Sequence, residues 1–186
     1  MNKRKLTVIF SAFVLIAFVT TFNYGGCGKK DHDSGSSATV AKAVDDYIWV
    51  ANHGSNNVTC IKKLNPAIST TITVGANPRG VAVDDTYCWV ANNGSNNVIR
   101  ILKSNPVVTT TIVVGTNPRG VAVDENYAWV VNSGSADVTR IKKSDLTTTT
   151  ITVGSTPFGV AVDATYCWVA NNGSANVTRI LKSDPA

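Results

Sequence analysis

Two arginines and a phenylalanine occupy one recurring place in this chain, the middle of Pro-Arg-Gly or Pro-Phe-Gly: Arg79, Arg119 and Phe158. Guanidiniums present planar, paired donors to carboxylates and phosphates, and an aromatic ring beside them suits a flat group, so the three together would hold an anionic or planar ligand. Groups for acid–base catalysis are scarce: His32 and His53 are the two histidines and Glu125 is the one glutamate. Ser55, Ser95, Ser135 and Ser174 each follow a glycine, but no Ser/His/Asp arrangement recurs with them. Asp84, Asp85, Asp124, Glu125 and Asp163 also recur. A cation needs several oxygens converging on one point, whereas an aspartate in a turn usually bonds its own backbone, so these are read as structural. No catalytic residue, metal or cofactor is expected.

The elements that position these residues follow from the spacing. Trp49, Trp89, Trp129 and Trp168 are 40, 40 and 39 residues apart, and Gly54, Gly94, Gly134 and Gly173 keep the same step. A period near 40 indicates either propeller blades or helical repeats. The β-branched runs Thr70 to Val74, Thr109 to Val114 and Thr147 to Val153 decide for strands. In the second repeat the strands read as Gly80 to Val83 (A), Tyr87 to Asn92 (B), Val98 to Leu102 (C) and Thr109 to Val114 (D), separated by Asp-, Asn-, Gly- and Pro-rich turns. Strands A and B are apolar on both faces, as inner strands sandwiched between blades should be, and the Thr-rich strand D suits a wet outer rim.

Tyr87-Cys88-Trp89-Val90-Ala91-Asn92-Asn93-Gly94-Ser95 and Asn117-Pro118-Arg119-Gly120-Val121-Ala122-Val123-Asp124 resemble the YVTN-type β-propeller repeat, a relative of the NHL repeat. The resemblance runs from Thr39 to the C-terminus, with the first strand A degenerate at Lys42. It implies an all-β propeller of about four four-stranded blades, 39–75, 79–115, 119–154 and 158–186. The repeat is also similar to the propeller of streptogramin lyases, which use histidine, acidic residues and magnesium at one face of the ring. That constellation is not matched here.

The fourth repeat stops at Ala186, where its strand D would begin. Propellers close with roughly four to eight blades, which leaves a small closed ring, a half ring that dimerises, or a truncated propeller. Repeats two and four share Tyr-Cys-Trp and Ile-Leu-Lys, while one and three share Ile-Lys-Lys, a two-blade unit that favours an even count and a homodimer completing the ring. A B–C turn centred on Gly94-Ser95 places Trp89 opposite Arg100, and likewise Trp129 opposite Arg140 and Trp168 opposite Arg179. Each guanidinium would then stack on its blade's indole. Cys60 and Cys88 would sit on facing sheets, about 10 Å apart, too far for a bond that needs Cα atoms within about 7 Å.

The N-terminus carries targeting information. Lys3, Arg4 and Lys5 precede the uncharged stretch Leu6 to Phe22, an export signal spanning 1–26. It ends in Tyr24-Gly25-Gly26-Cys27-Gly28, which resembles a bacterial lipoprotein cleavage box, except that Tyr24 stands where an aliphatic residue is usual. The resemblance implies a lipid on Cys27, followed by a polar tether, 27–38. Removing the leader's three basic residues leaves 14 basic against 12 acidic side chains, too even a balance for a nucleic-acid partner. The sequence thus reads as an exported, non-catalytic cell-envelope lipoprotein, facing the periplasm or the surface, that binds a protein, glycan or small ligand on a propeller scaffold. The alternatives are a streptogramin-lyase-like carbon–oxygen lyase, for which His53 would be essential, and an incomplete fragment of a larger propeller.

Overall fold

The computed structural model describes residues 47–184. The leader, Cys27, the tether and the first strand A lie outside the described residues. Those described form an all-β chain of consecutive antiparallel meanders. Blade 1 comprises β1 (Tyr47–Asn52), β2 (Asn57–Lys62) and β3 (Ser69–Thr73). Blade 2 comprises β4 (Pro78–Val83), β5 (Tyr87–Asn92), β6 (Asn97–Leu102) and β7 (Thr109–Val113). Blade 3 repeats that plan in β8 (Pro118–Val123), β9 (Tyr127–Asn132), β10 (Asp137–Lys142) and β11 (Thr148–Thr152). Blade 4 has three strands, β12 (Pro157–Val162), β13 (Tyr166–Asn171) and β14 (Asn176–Leu181), with β14 at its edge.

The core is divided into the layers between blades. Trp49, Val58 and Cys60 of blade 1 pack on Cys88, Val90 and Ile101 of blade 2. Trp89, Ala91 and Val98 of blade 2 pack on Ala128, Val130 and Ile141 of blade 3. Trp129, Val131 and Val138 of blade 3 pack on Cys167, Val169 and Ile180 of blade 4. Alternation along each strand sends one residue to the preceding blade and the next to the following one, so β5 and β9 are buried from their second residue to their last. The Thr-rich outer strands β7 and β11 bury one isoleucine each and expose most of the rest. Strand A differs from expectation: in β4 only Pro78 is buried and Val83 is exposed, because the innermost strand borders the ring's axis on one side instead of another layer of side chains.

Close approach of the inner strands has a backbone cause. A Cβ on Gly80 would overlap the carbonyl oxygen of Arg119, and one on Gly120 would lie 3.0 Å from the carbonyl oxygen of Phe158. Glycine therefore lets β4, β8 and β12 converge at the axis. Among the described residues the two end blades keep uncovered faces. The outward face of blade 1 exposes Ile48 and Val50, and that of blade 4 exposes Trp168 and Val177.

Candidate functional site

The D-to-A connections and the B–C turns lie at one end of the blades. There Asn77 and Asn117 adopt left-handed backbone, φ 52° and 55°, which asparagine tolerates better than most residues. Each has its amide held by the turn asparagine of the preceding blade: Asn77 N donates to Asn56 Oδ1 at 2.8 Å and Asn117 N to Asn96 Oδ1 at 2.9 Å. The serines that follow the turn glycines serve the same connections. Ser95, Ser135 and Ser174 accept hydrogen bonds at Oγ from the amides of Ala76, Thr116 and Ser155, and that is their role here.

The residue after each proline sits in a β-bulge. The register of strand A against strand B shifts between Pro78 and Gly80, between Pro118 and Val121, and between Pro157 and Gly159. Arg79, Arg119 and Phe158 therefore occupy strand A's irregular first turn, where a bulge redirects a side chain, and not the loop before it. The structure stacks Arg119 on Phe158 and sets Arg79 near enough for its charge to act on Arg119. Arg119 Cζ lies 3.7 Å from the centroid of the Phe158 ring, and its Nε donates to Ser133 Oγ at 3.1 Å. Partial burial, and then the charge of Arg79, lower the Arg119 pKa from its ordinary value. Two guanidiniums thus repel one another at this end of strand A, and no ion pair to either is formed among the described residues.

The second arginine set is structural. Trp89 pairs with Arg100, Trp129 with Arg140 and Trp168 with Arg179 across strands B and C. The guanidiniums lie nearest the tyrosine two positions before the tryptophan, at 4.2 Å from Tyr87, 4.7 Å from Tyr127 and 4.6 Å from Tyr166. Arg100 and Arg140 reach their indoles only at 5.6 and 5.8 Å. The expected indole contact is thus present at Trp89 and Trp129, with the tyrosine closer: same-face residues two apart on strand B flank the long arginine side chain diagonally. Each tyrosine also meets its tryptophan edge-on, at centroid distances of 5.7 to 6.3 Å.

The recurring aspartates are turn anchors at the opposite end of the blades. Asp84 Oδ1 accepts from the amides of Thr86 and Tyr87, and its Oδ2 from Trp89 Nε1. Asp124 and Asp163 repeat this with Asn126, Tyr127 and Trp129, and with Thr165, Tyr166 and Trp168. The lysine after each strand C, unremarked in the sequence reading, completes the network. Lys143 Nζ donates to Asp124 O in its own blade and pairs with Asp84 Oδ2 of the preceding one at 2.8 Å. Lys182 does the same with Asp163 O and Asp124 Oδ2, the latter at 3.0 Å. The signal was a Lys at one position of every repeat: Lys63, Lys103, Lys143 and Lys182.

Exposed His53 lies in a 3-10 turn between β1 and β2, at the arginine end, whereas Glu125 follows β8 at the aspartate end. A histidine and a glutamate at opposite ends cannot share one reacting atom. Cys88 and Cys167 are buried thiols, so no Cys60–Cys88 bridge forms. Burial first, and then Asp124, push the Cys167 thiol up to about 12, far from a reactive thiolate.

No family model and no curated protein matches this chain. Solved structures do. The chain is similar to hydrazine synthase of Kuenenia stuttgartiensis, at 17% identity and a TM-score of 0.67 over 82% of this chain and 50% of that one. It is similar to a streptogramin B lyase at 13% identity, TM-score 0.66, over 74% of this chain and 49% of that one. A nidogen/laminin complex structure matches at 12% identity, TM-score 0.65, over 74% and 56%. The fold is a β-propeller. The chain spans about half the length of the structures it matches, and at these identities the likeness carries architecture alone.

Proposed function

We propose that this protein is a non-catalytic binding scaffold of the bacterial envelope, exported by its leader, tethered through a lipid on Cys27, and taking an anionic, planar group at Arg79, Arg119 and Phe158. The observation that carries the binding assignment is the stacked, hydrogen-bonded Arg119 beside a second guanidinium with no counter-charge. A carboxylate or sulfate entering between them relieves their repulsion, and the ring packed against Arg119 offers a flat surface to an aromatic or sugar portion. The catalytic reading has less support, because neither the two arginines nor the tyrosine-stacked set is joined by an acid–base pair.

Calorimetric titration with an aromatic carboxylate such as benzoate, and with sulfate, tests the assignment. Removing a charge-assisted hydrogen bond costs about 1.5–3 kcal/mol, so Arg79→Ala and Arg119→Ala are each expected to weaken binding by at least about tenfold. Equal affinity in the double variant would remove the site. The anchor is tested separately. Acylation consumes the Cys27 sulfur in a thioether, so that sulfur cannot also form a disulfide. The intact mass of reduced envelope protein is expected to show a chain beginning at Cys27 and carrying acyl groups. An unmodified mass, or loss of a mass shift only on reduction, refutes lipidation.

A further inference from the structure

We propose that the uncovered faces of blades 1 and 4 are two halves of one interface, and that two copies of this chain join through them, head to tail at both ends, into an eight-bladed ring. The internal junctions supply the template. At each, the Trp face of one blade meets the opposite face of the next: Trp89, Ala91 and Val98 against Ala128, Val130 and Ile141, all fully buried. Blade 4 presents the same Trp face in Trp168, Ala170 and Val177, but Trp168 is 37% and Val177 63% exposed. Blade 1 presents the complementary set in Ile48, Val50 and Ile61, with Ile48 49% and Val50 40% exposed. Position for position, the two open faces are the two sides of a junction this chain already makes three times.

The polar contacts complete the match. Every internal junction described in full has an aspartate of one blade paired with the post-strand-C lysine of the next, Asp84 with Lys143 and Asp124 with Lys182. At the open ends this leaves exposed Asp163 on blade 4, already holding Trp168 Nε1 at 2.7 Å, and exposed Lys63 on blade 1. Arg140 Nη1 also reaches across a junction to the carbonyl of Lys182, at 3.3 Å. Its counterpart Arg179 is exposed and would find the carbonyl of Lys63 on the second copy. A heterologous contact of this kind forms a ring where the rotation closes and a filament where it does not. With the four blades described in each copy and an upper limit near eight, the closing number is two. The ring then sets two copies of Arg79, Arg119 and Phe158 around one channel mouth, a site that half a ring leaves open to solvent.

Charge reversal in the full chain, extracted in mild detergent, reads the assembly. Light scattering is expected to give two polypeptides per particle. Lys63→Asp and Asp163→Lys each set like charges against each other at both junctions, so each is expected to raise the dimer dissociation constant at least about tenfold, while the double variant restores it. Lys63 is exposed, and because Asp163→Lys also removes the acceptor of its own turn, far-UV circular dichroism checks that each variant is folded before its assembly is read. A wild-type monomer at tens of micromolar concentration, open-ended polymers, or a double variant as weak as the single ones would each overturn the proposal. The first of these would leave the faces to another protein or to further blades.

Discussion

Trp129→Ala is expected to lower the unfolding free energy by about 3–5 kcal/mol. The indole is fully buried between blades 3 and 4, against Val131, Val138, Cys167 and Val169. Blades cannot collapse toward one another to fill the hole, because each is held by its own sheet ladder and by the converging inner strands. The substitution also removes the Nε1 donor from Asp124 Oδ2 at 3.0 Å, leaving a carboxylate oxygen to the lysine of the next blade alone. Trp168→Ala provides the control. The same residue type in the same repeat position has 37% of its surface exposed and no following blade among the described residues, so in dilute solution its loss is expected to cost about half as much or less. Urea unfolding followed by circular dichroism measures both. Equal losses would mean that the tryptophans act through their own sheets and not through the junctions.

That contrast shows what the chain's periodicity reveals and what it conceals. Repeating Trp, Gly and Thr runs at fixed steps specify strand type, order and register, and the pairing of Trp89 with Arg100 follows directly from where the turn glycine falls. Contacts within one blade are therefore legible, because a hairpin's register is local. Contacts between blades are not, since sequence spacing says nothing of the angle between successive sheets. Lys143 meeting Asp84, 59 positions earlier in the chain, needs the stacked geometry. The same limit applies to the arginine stacks. Register places Arg140 opposite Trp129, but the ring that lies closest, Tyr127, is a diagonal neighbour whose distance depends on sheet twist and rotamer.

The candidate site follows the same division. That Arg79, Arg119 and Phe158 share one repeat position is visible in the sequence, and the propeller then requires them to gather at one end of the axis. Their mutual geometry rests on the bulge, which inserts an unpaired residue after each proline and turns its side chain away from the ladder. Nothing in Asn-Pro-Arg-Gly announces the bulge itself, beyond an asparagine able to take positive φ and a glycine able to lie against the next strand. Ser133, which fixes Arg119, comes from the B–C turn of the same blade and has asparagine at the equivalent position in the blades on either side.

Asp124→Asn is expected to destabilise the protein at neutral pH by about 2–3 kcal/mol, and to do so less as the pH falls. The substitution keeps the shape of the side chain, and Oδ1 still accepts from the amides of Asn126 and Tyr127. Its new Nδ2, however, is a donor facing two donors, Trp129 Nε1 and Lys182 Nζ. In the native carboxylate, burial pushes the pKa up, but the indole, the two amides and the lysine together outweigh it and hold the pKa below the ordinary value of 3.8. Asp84 is held low in the same way by Lys143, Tyr87, Trp89 and Thr86, against its own burial. A carboxyl whose folded pKa lies below its unfolded one stabilises the fold fully above about pH 4 and ceases to do so as the pH falls through the lower, folded value. Wild-type stability should therefore decline below about pH 4, with the inter-blade ion pairs lost as the pH falls through the lowered values of Asp84 and Asp124. The curve of Asp124→Asn should be flatter there, the two converging as the pH falls below the lowered folded value of Asp124. Asp163→Asn, whose carboxylate is exposed and in dilute solution has no lysine of a following blade against it among the described residues, should change the acid limb less. Urea midpoints between pH 2.5 and 7 decide the matter: parallel curves for wild type and Asp124→Asn would mean that the junction draws its stability from the apolar layer alone.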